Sequence, residues 1–315
     1  MSLDPQARAL LDMVYRIGAP RFHELSVDQA RRSMEKLLFA FRPDAPAVAS
    51  VTEVPIPRGH DGVLLARYYR PISAEPDATL PLLVYYHGGG WCIGDVNSYD
   101  VACRELANLS HCAVVSVEYR LAPEHPFPAA IHDALLALDW VTDNADLLSI
   151  DPAKVALGGD SAGGNLAIVT ALQARDRGGP ALRHLLLVYP STEMISNRPS
   201  RSTYGDGYFL DRESLVWFYS RYLPQGNTDD WRASPMLASS LAGLPPMTLL
   251  TAGCDPLTDD CLAFAERVRQ EGGAVDHRNF EGMVHGFFTL GKYFHQANDA
   301  VGIAAESLRS ALLAP

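Results

Sequence analysis

The chain has 315 residues, of which 48% are hydrophobic, and its formal net charge at pH 7 is −11. A chain of this length and composition is expected to bury a large core, either as one large domain or as a domain with a lid. The acidic balance argues against nucleic acid and against an anionic membrane surface as partners.

Targeting and metal-binding signals are absent from the sequence. The first residues contain no basic segment that leads into an apolar run, so no signal peptide is expected. No apolar stretch reaches the roughly 18 residues that a membrane-spanning helix needs. The five cysteines lack paired C-x-x-C spacing, which favours reduced, mostly buried thiols in a cytoplasmic protein. The ten histidines show neither H-E-x-x-H nor H-x-H pairing, so no metal site is indicated.

Two amphipathic helices are predicted at the N-terminus, over residues 5–18 and 27–41, because apolar residues recur there at helical spacing. Ser26 and Gln29 have the spacing of a capping box, which marks the start of the second helix. The tract Arg42-Pro43-Asp44-Ala45-Pro46 is predicted to be a linker. Extended structure is expected after it.

The middle and C-terminal parts predict a sheet covered by helices. Val51–Pro57 and Val63–Tyr69 alternate in polarity around a glycine-containing turn, which indicates a β-hairpin. Strand and helix patterns then alternate, as is typical of a mostly parallel sheet with helices on both faces. The further predicted strands are Leu82–Tyr86, Ala113–Glu118, Val155–Leu157, Leu185–Val188, Thr248–Thr251 and Val275–Asn279. The further predicted helices are Asp100–Leu109, Ala129–Asp143, Gly163–Arg175, Asp259–Glu271 and Asn298–Leu312.

The region from about Ser191 to Gly226 interrupts this alternation. It contains a polar, turn-rich piece and a predicted helix over Arg212–Leu223. We interpret the insertion as part of a lid, which the two N-terminal helices could join. The alternative is a surface excursion with no gating role.

One serine lies in a Gly-x-Ser-x-Gly frame, Gly159-Asp160-Ser161-Ala162-Gly163, between a predicted strand and a predicted helix. A serine hydroxyl is a weak nucleophile at neutral pH, so it needs a base and an exposed position. A sharp strand-to-helix turn supplies the exposure, and its glycines permit a close approach of backbone segments. The helix N-terminus also favours developing negative charge. Gly/Ser-rich turns are common, so the frame requires partners elsewhere in the chain.

A glycine loop supplies candidate oxyanion donors. His87-Gly88-Gly89-Gly90-Trp91 directly follows the apolar run Leu82–Tyr86. Successive glycines leave backbone N–H groups able to approach a ligand oxygen, and such donors can stabilise a tetrahedral oxyanion. We expect the N–H groups of Gly89 and Gly90, with Gly88 as a further candidate, to act together with that of Ala162.

His285 is the strongest candidate for the base, because it lies in a glycine-flanked loop after the last predicted strand, Val275–Asn279. Such a loop, at the carboxyl end of a strand, is where an α/β sheet places its site. His277 lies within that strand and is expected to pack or to face water. His125 lies in the tight turn Pro123-Glu124-His125-Pro126 and is expected to be structural.

Asp255 is the strongest candidate for the acid, because it also follows an apolar strand, Thr248–Thr251. Asp259 and Asp260 fall in the first turn of a predicted helix, where the helix dipole explains acidic residues. The chain order Ser161, Asp255, His285 is then nucleophile, acid, base, which is the order of α/β-hydrolases.

Two further roles remain open from the sequence. Asp160, beside the serine, could tune the site or only cap backbone N–H groups. Large aromatic residues could line an apolar acyl pocket or simply pack in the core; they are Trp91, Tyr189, Phe209, Trp217 and Phe287.

These motifs together resemble the hormone-sensitive-lipase-like (family IV) carboxylesterases of the α/β-hydrolase superfamily. The resemblance covers most of residues 80–290, and the helical residues 1–45 suit the family's N-terminal cap. One long matching motif runs from Glu118 to Ala130, with Glu118 where the family more often has Asp. The other matching motifs are His87-Gly88-Gly89-Gly90-Trp91, Gly159-Asp160-Ser161-Ala162-Gly163-Gly164, Asp255-Pro256-Leu257 and His285-Gly286-Phe287.

The resemblance implies an α/β-hydrolase fold with a mostly parallel eight-stranded sheet, helices on both faces and a helical cap. It also implies no cofactor, hydrolysis of short- to medium-chain acyl esters, and a homodimer formed through the sheet edge. The expected division is an N-terminal cap segment (1–45), a first catalytic part (46–190), a cap insertion (191–226) and a second catalytic part (227–315).

The resulting hypothesis is a serine carboxylesterase that forms an acyl-enzyme, with Ser161 as nucleophile, His285 as base and Asp255 as orienting acid. A lactonase, thioesterase or amidase would use the same triad. A non-catalytic small-molecule receptor on the same fold is the alternative from another class.

Overall fold

The structure, a computed structural model, describes residues 2–313. Within these residues the strands form one eight-stranded sheet, in the spatial order 1-2-4-3-5-6-7-8. The first pairings, of strand 1 with 2 and of 2 with 4, are antiparallel, and the rest are parallel. The strands are β1 (Ser50–Pro57), β2 (Val63–Arg70), β3 (Leu80–Tyr86), β4 (Ala113–Val117), β5 (Ile150–Asp160), β6 (Leu182–Val188), β7 (Met247–Cys254) and β8 (Val275–Val284).

The expected α/β-hydrolase sheet is confirmed, and so is the antiparallel hairpin at its start. The strands β3, β4 and β7 are buried along their whole length, as continuous apolar strands covered on both faces should be. Side chains alternate between the two faces of β3, so Leu82 and Val84 enter one core while Leu83 and Tyr85 enter the other.

Several strands extend further than the sequence predicts. β5 begins at Ile150 rather than Val155, and β7 continues to Cys254. β8 continues to Val284 across Gly282, with a shift of register against β7. Glycine and polar residues interrupt the apolar pattern in the extensions of β5 and β8, so the pattern alone understates the length of these strands.

Helices cover both faces of the sheet. On one face α4, α6 and α9 pack against the strands, and on the other α3 and α10 do. The helices are α1 (Pro5–Arg16), α2 (Val27–Phe41), α3 (Asp100–Ser110), α4 (Ala129–Asp143), α5 (Ala145–Leu148), α6 (Ala162–Asp176), α7 (Pro199–Thr203), α8 (Arg212–Tyr222), α9 (Thr258–Gln270) and α10 (His295–Leu313). None of these helices, in the part of the chain described, is long and apolar enough to cross a membrane.

The predicted N-terminal helices are present, although α1 ends at Arg16, two residues before its predicted end. The predicted capping box at the start of α2 is confirmed, because Ser26 and Gln29 each accept a hydrogen bond from the other's backbone N–H. Arg31 of α2 donates to the carbonyl oxygens of Cys92 and Ala122, which ties this helix to the core.

Candidate active site

Ser161 lies on the sharp turn between β5 and α6, with the unusual backbone angle φ = +54°. Its N–H donates to the carbonyl oxygen of Val188 at 2.8 Å, which fixes the turn against β6. A Cβ atom on Gly159 would lie 2.5 Å from the carbonyl oxygen of Tyr86, and one on Gly163 would lie 2.6 Å from that of His87. The two glycines of the frame are therefore required by the close approach of three backbone segments.

The structure brings Ser161, His285 and Asp255 into one hydrogen-bonded chain. The Nε2 atom of His285 lies 2.8 Å from the Oγ atom of Ser161, and its Nδ1 atom lies 2.7 Å from Oδ2 of Asp255. Asp255 is fully buried, His285 is 8% exposed, and each follows directly after the end of its strand, β7 or β8. The other oxygen of Asp255 accepts a hydrogen bond from the N–H of Leu257, which holds the carboxylate in place.

The other histidines and acids considered from the sequence lie outside this chain of contacts. His277 lies in β8 and contacts the hydroxyl of Thr251, and His125 is exposed. Asp260 is buried and paired with Arg198 and Arg201. Two ion pairs made by this buried carboxylate therefore account for Asp260 better than the helix dipole does.

The glycine loop follows β3 and faces the serine turn. Gly89 and Gly90 have positive φ angles of +117° and +57°. Within residues 2–313, no acceptor forms a hydrogen bond with the backbone N–H of either glycine. Ala162 is the first residue of α6, where backbone N–H groups have no intrahelical partner. These three N–H groups are thus able to donate hydrogen bonds to a ligand oxygen.

Gly88, the further candidate for an oxyanion donor, has a hydrogen-bond partner of its own. Its N–H donates to Oδ1 of Asp160 at 2.9 Å, so it is already engaged with a buried carboxylate. Asp160 also accepts hydrogen bonds from the hydroxyl groups of Tyr85 and Tyr99. Burial raises the pKa of the Asp160 carboxyl, and the two tyrosine hydrogen bonds oppose that change. Asp160 is therefore a partner of the glycine loop, whereas Asp255 is the acid that contacts His285.

An apolar pocket opens above the serine. Of the aromatic residues considered from the sequence, Trp91 and Phe209 line it. Tyr189, Trp217 and Phe287 are buried in packing contacts instead, with Tyr189 against the ring of His285 at 4.6 Å between centroids.

Part of the pocket wall comes from residues of the N-terminal segment and of α8 that the sequence alone does not indicate as pocket residues. Phe22 and Met34 approach from the N-terminal segment, and Leu215, Phe218 and Tyr219 approach from α8. The apolar stripe of α2 was visible in the sequence, but a stripe does not say whether it faces the core or a cavity.

Comparisons with known proteins show which family the chain resembles. Residues 83–289 match a family described by the α/β-hydrolase fold. The chain is 39% identical to the carboxylic ester hydrolase LipN of Mycobacterium tuberculosis, over 92% of this chain and 78% of LipN. It is 36% identical to an ethyl acetate hydrolase of Pseudomonas putida, over 99% of this chain and 100% of that protein. A crystal structure of LAE6, an α/β-hydrolase enzyme from the metagenome of Lake Arreo, Spain, matches with a TM-score of 0.93 at 39% identity, covering 98% of both chains.

Proposed function

The chain belongs to the α/β-hydrolase family, in its hormone-sensitive-lipase-like branch, and on this premise we propose that it is a serine carboxylesterase acting on short- to medium-chain acyl esters. The observation that carries the proposal is the hydrogen-bonded chain from Ser161 through His285 to Asp255. A hydroxyl, an imidazole and a buried carboxylate in this order are the parts that acyl transfer requires.

In the first half of the reaction, His285 removes the proton of Ser161 as the serine oxygen attacks the ester carbonyl carbon. Asp255 holds the imidazole in the tautomer that leaves Nε2 free to accept this proton, and it stabilises the imidazolium that results. The carbonyl oxygen, now an oxyanion, accepts hydrogen bonds from the N–H groups of Gly89, Gly90 and Ala162. His285 then gives its proton to the departing alcohol, which leaves an acyl group on Ser161.

In the second half, water replaces the alcohol. His285 takes a proton from the water as its oxygen attacks the acyl carbon, and the same three N–H groups receive the second oxyanion. Collapse of this intermediate breaks the bond to Ser161, which recovers its proton from His285. A carboxylic acid is released and the enzyme returns to its starting state.

The cap determines which acyl and alcohol groups can enter. We assign residues 1–45 and 191–226 to the cap, and residues 46–190 and 227–315 to the catalytic core. Phe22 and Met34 from the first cap segment and Phe218 from the second support this division, since all three line the pocket above Ser161. Their apolar side chains favour an uncharged acyl chain over a charged one.

A panel of p-nitrophenyl esters from acetate to laurate tests the proposal, with a lactone, a thioester and an anilide beside it. We expect the highest kcat/KM for short and medium acyl chains. Reaction with an organophosphonate should add one phosphonyl group, which peptide mass spectrometry should locate on Ser161. If the protein hydrolyses the lactone, thioester or anilide but none of the esters, the esterase assignment is contradicted. If it hydrolyses none of these compounds, the receptor alternative is favoured.

The homodimer, the cytoplasmic location and the absence of a cofactor remain predictions. Within residues 2–313, β8 ends the sheet and pairs with β7 alone, so its outer edge supports pairing with a second copy. Light scattering coupled to size-exclusion chromatography tests the dimer, with twice the 315-residue chain mass expected.

A further inference from the structure

Asp160 lies between the serine turn and the glycine loop. These two parts of the site must keep a fixed position relative to each other. It is the last residue of β5 and the neighbour of Ser161, so its backbone position is set by the serine turn. Its carboxylate is buried, and Oδ1 accepts a hydrogen bond from the N–H of Gly88 at 2.9 Å. This is a side-chain link between the nucleophile's own strand and the loop that carries Gly89 and Gly90.

Two tyrosine hydroxyls hold the carboxylate itself. Tyr85, on β3, donates to Oδ1 at 3.0 Å, and Tyr99, just before α3, donates to Oδ2 at 2.9 Å. Three donors and no base contact this carboxylate within the described residues, so it is suited to accept hydrogen bonds and not to take part in proton transfer. Because the group is buried, each of these bonds fixes its position more firmly than it would in water.

Close contacts surround the start of the glycine loop. A Cβ atom on Gly88 would lie 2.8 Å from the hydroxyl oxygen of Tyr99 and 2.9 Å from the carboxyl carbon of Asp160. On the far side, the hydroxyl of Tyr119 donates to the carbonyl oxygen of His87 at 2.7 Å, and the two rings stack at 4.3 Å. Asp160 therefore holds Gly88 through a hydrogen bond, and Tyr119 holds His87 through a hydrogen bond and ring stacking.

We propose that Asp160 is a positioning residue for the oxyanion hole. Its carboxylate fixes Gly88 and so aims the N–H groups of Gly89 and Gly90 at the developing oxyanion. The long motif that begins at Glu118 supplies Tyr119 for the same task, which gives that motif a place in the reaction. The inference rests on the proposed esterase function, since it concerns how that site stabilises its transition state.

The test is Asp160→Asn, which keeps the shape of the side chain but removes its charge and one acceptor oxygen. We expect kcat for p-nitrophenyl butyrate to fall about 10- to 100-fold, because misplaced donors stabilise the oxyanion less. KM should stay within about two-fold, because the ground-state ester makes little use of these donors. Inhibition by an alkyl trifluoromethyl ketone, whose serine adduct carries an oxyanion, should weaken by the same factor as kcat/KM.

The matched control is Asp133→Asn on α4, which changes another buried, hydrogen-bonded carboxylate that lies outside the site. It should lower the melting temperature while kcat and inhibition by the ketone stay within about two-fold of wild type. If Asp160→Asn changes kcat and ketone affinity no more than this control does, the positioning role is overturned.

Single removal of each tyrosine donor keeps the test decisive even if Asp160→Asn does not fold. Tyr99→Phe and Tyr85→Phe leave the carboxylate in place but loosen it, and each should lower kcat and ketone affinity several-fold in parallel. Wild-type values for both variants would overturn the proposal. Wild-type protein that hydrolyses no ester would instead refute the proposed function, so the two failures are distinguishable.

Discussion

The carboxyl edge of the sheet and the segments that we assign to the cap both line the pocket, but their residues are positioned in different ways. At the sheet edge, His285 and Asp255 are each the first residue after a strand, so strand pairing places them within hydrogen-bonding distance. The cap contributes Phe22 and Met34 from the start of the chain and Phe218 from its middle. The backbone of the core therefore determines where the catalytic groups lie. The shape of the pocket is determined by side-chain packing between distant segments.

The largest expected effect comes from removing the nucleophile at the sheet edge. Ser161→Ala should lower turnover by about 10⁶-fold, as in other serine hydrolases, because no other group can form the acyl-enzyme. Steady-state hydrolysis of p-nitrophenyl butyrate measures this loss. Ser116→Ala, at a buried serine of β4, is the control and should retain wild-type turnover. Near-normal turnover by Ser161→Ala would show that the sheet edge does not carry the chemistry.

Replacing the acid at the same edge should cause the next largest loss of turnover. Asp255→Asn should lower kcat by about 10⁴-fold, because the amide places an N–H where the imidazole needs an acceptor and so favours the wrong tautomer of His285. Asn can still accept the hydrogen bond from Leu257, so the local fold is expected to survive. Asp259→Asn, one turn further on, should stay within several-fold of wild type. Equal losses in the two variants would argue for a structural role of Asp255.

Gly90 of the glycine loop lies where the core contacts the cap, so a substitution there tests this contact. A Cβ atom there would lie 2.5 Å from Cγ of Phe218 in the cap, on a residue with φ = +57°. Gly90→Ala should therefore shift the glycine loop and lower kcat by about 10²-fold, the scale of one lost oxyanion donor. Gly178→Ala is the matched control, because its φ is +65° but a Cβ would meet nothing within 4 Å. If the control loses as much activity as Gly90→Ala, backbone strain and not contact with the cap explains the effect.

The contrast between core and cap also explains what could be predicted from the sequence. The triad was predictable because each member follows an apolar strand, and parallel strands end at one edge of a sheet. The sequence allowed Asp160 to cap backbone N–H groups, but its partner Gly88 was not predictable, since the bond joins residues 72 positions apart and leaves no local pattern. The pocket walls were missed for a similar reason. Phe218 lies on the predicted helix Arg212–Leu223, but only the tertiary packing shows that its ring faces the glycine loop.

The smallest expected effect is on specificity and belongs to the cap. Met34, half-buried on α2, lines the pocket without contributing to the triad or the oxyanion donors. Met34→Ala should enlarge the pocket and raise the ratio of kcat/KM for p-nitrophenyl octanoate over butyrate by about five-fold, which corresponds to about 1 kcal/mol of differential binding. Turnover of the butyrate ester should change little, because the triad is untouched.

Met13→Ala is the control for that change, since Met13 is a half-buried methionine on the other N-terminal helix, α1, and lies outside the pocket lining. Both variants should lose a similar amount of packing, so a shift in chain-length preference confined to Met34→Ala would assign specificity to the pocket wall. The same shift in both variants would mean that the cap acts through its overall stability. An unchanged ratio in both would place the acyl chain against the core side of the pocket. The idea that the cap determines chain-length specificity would then be wrong.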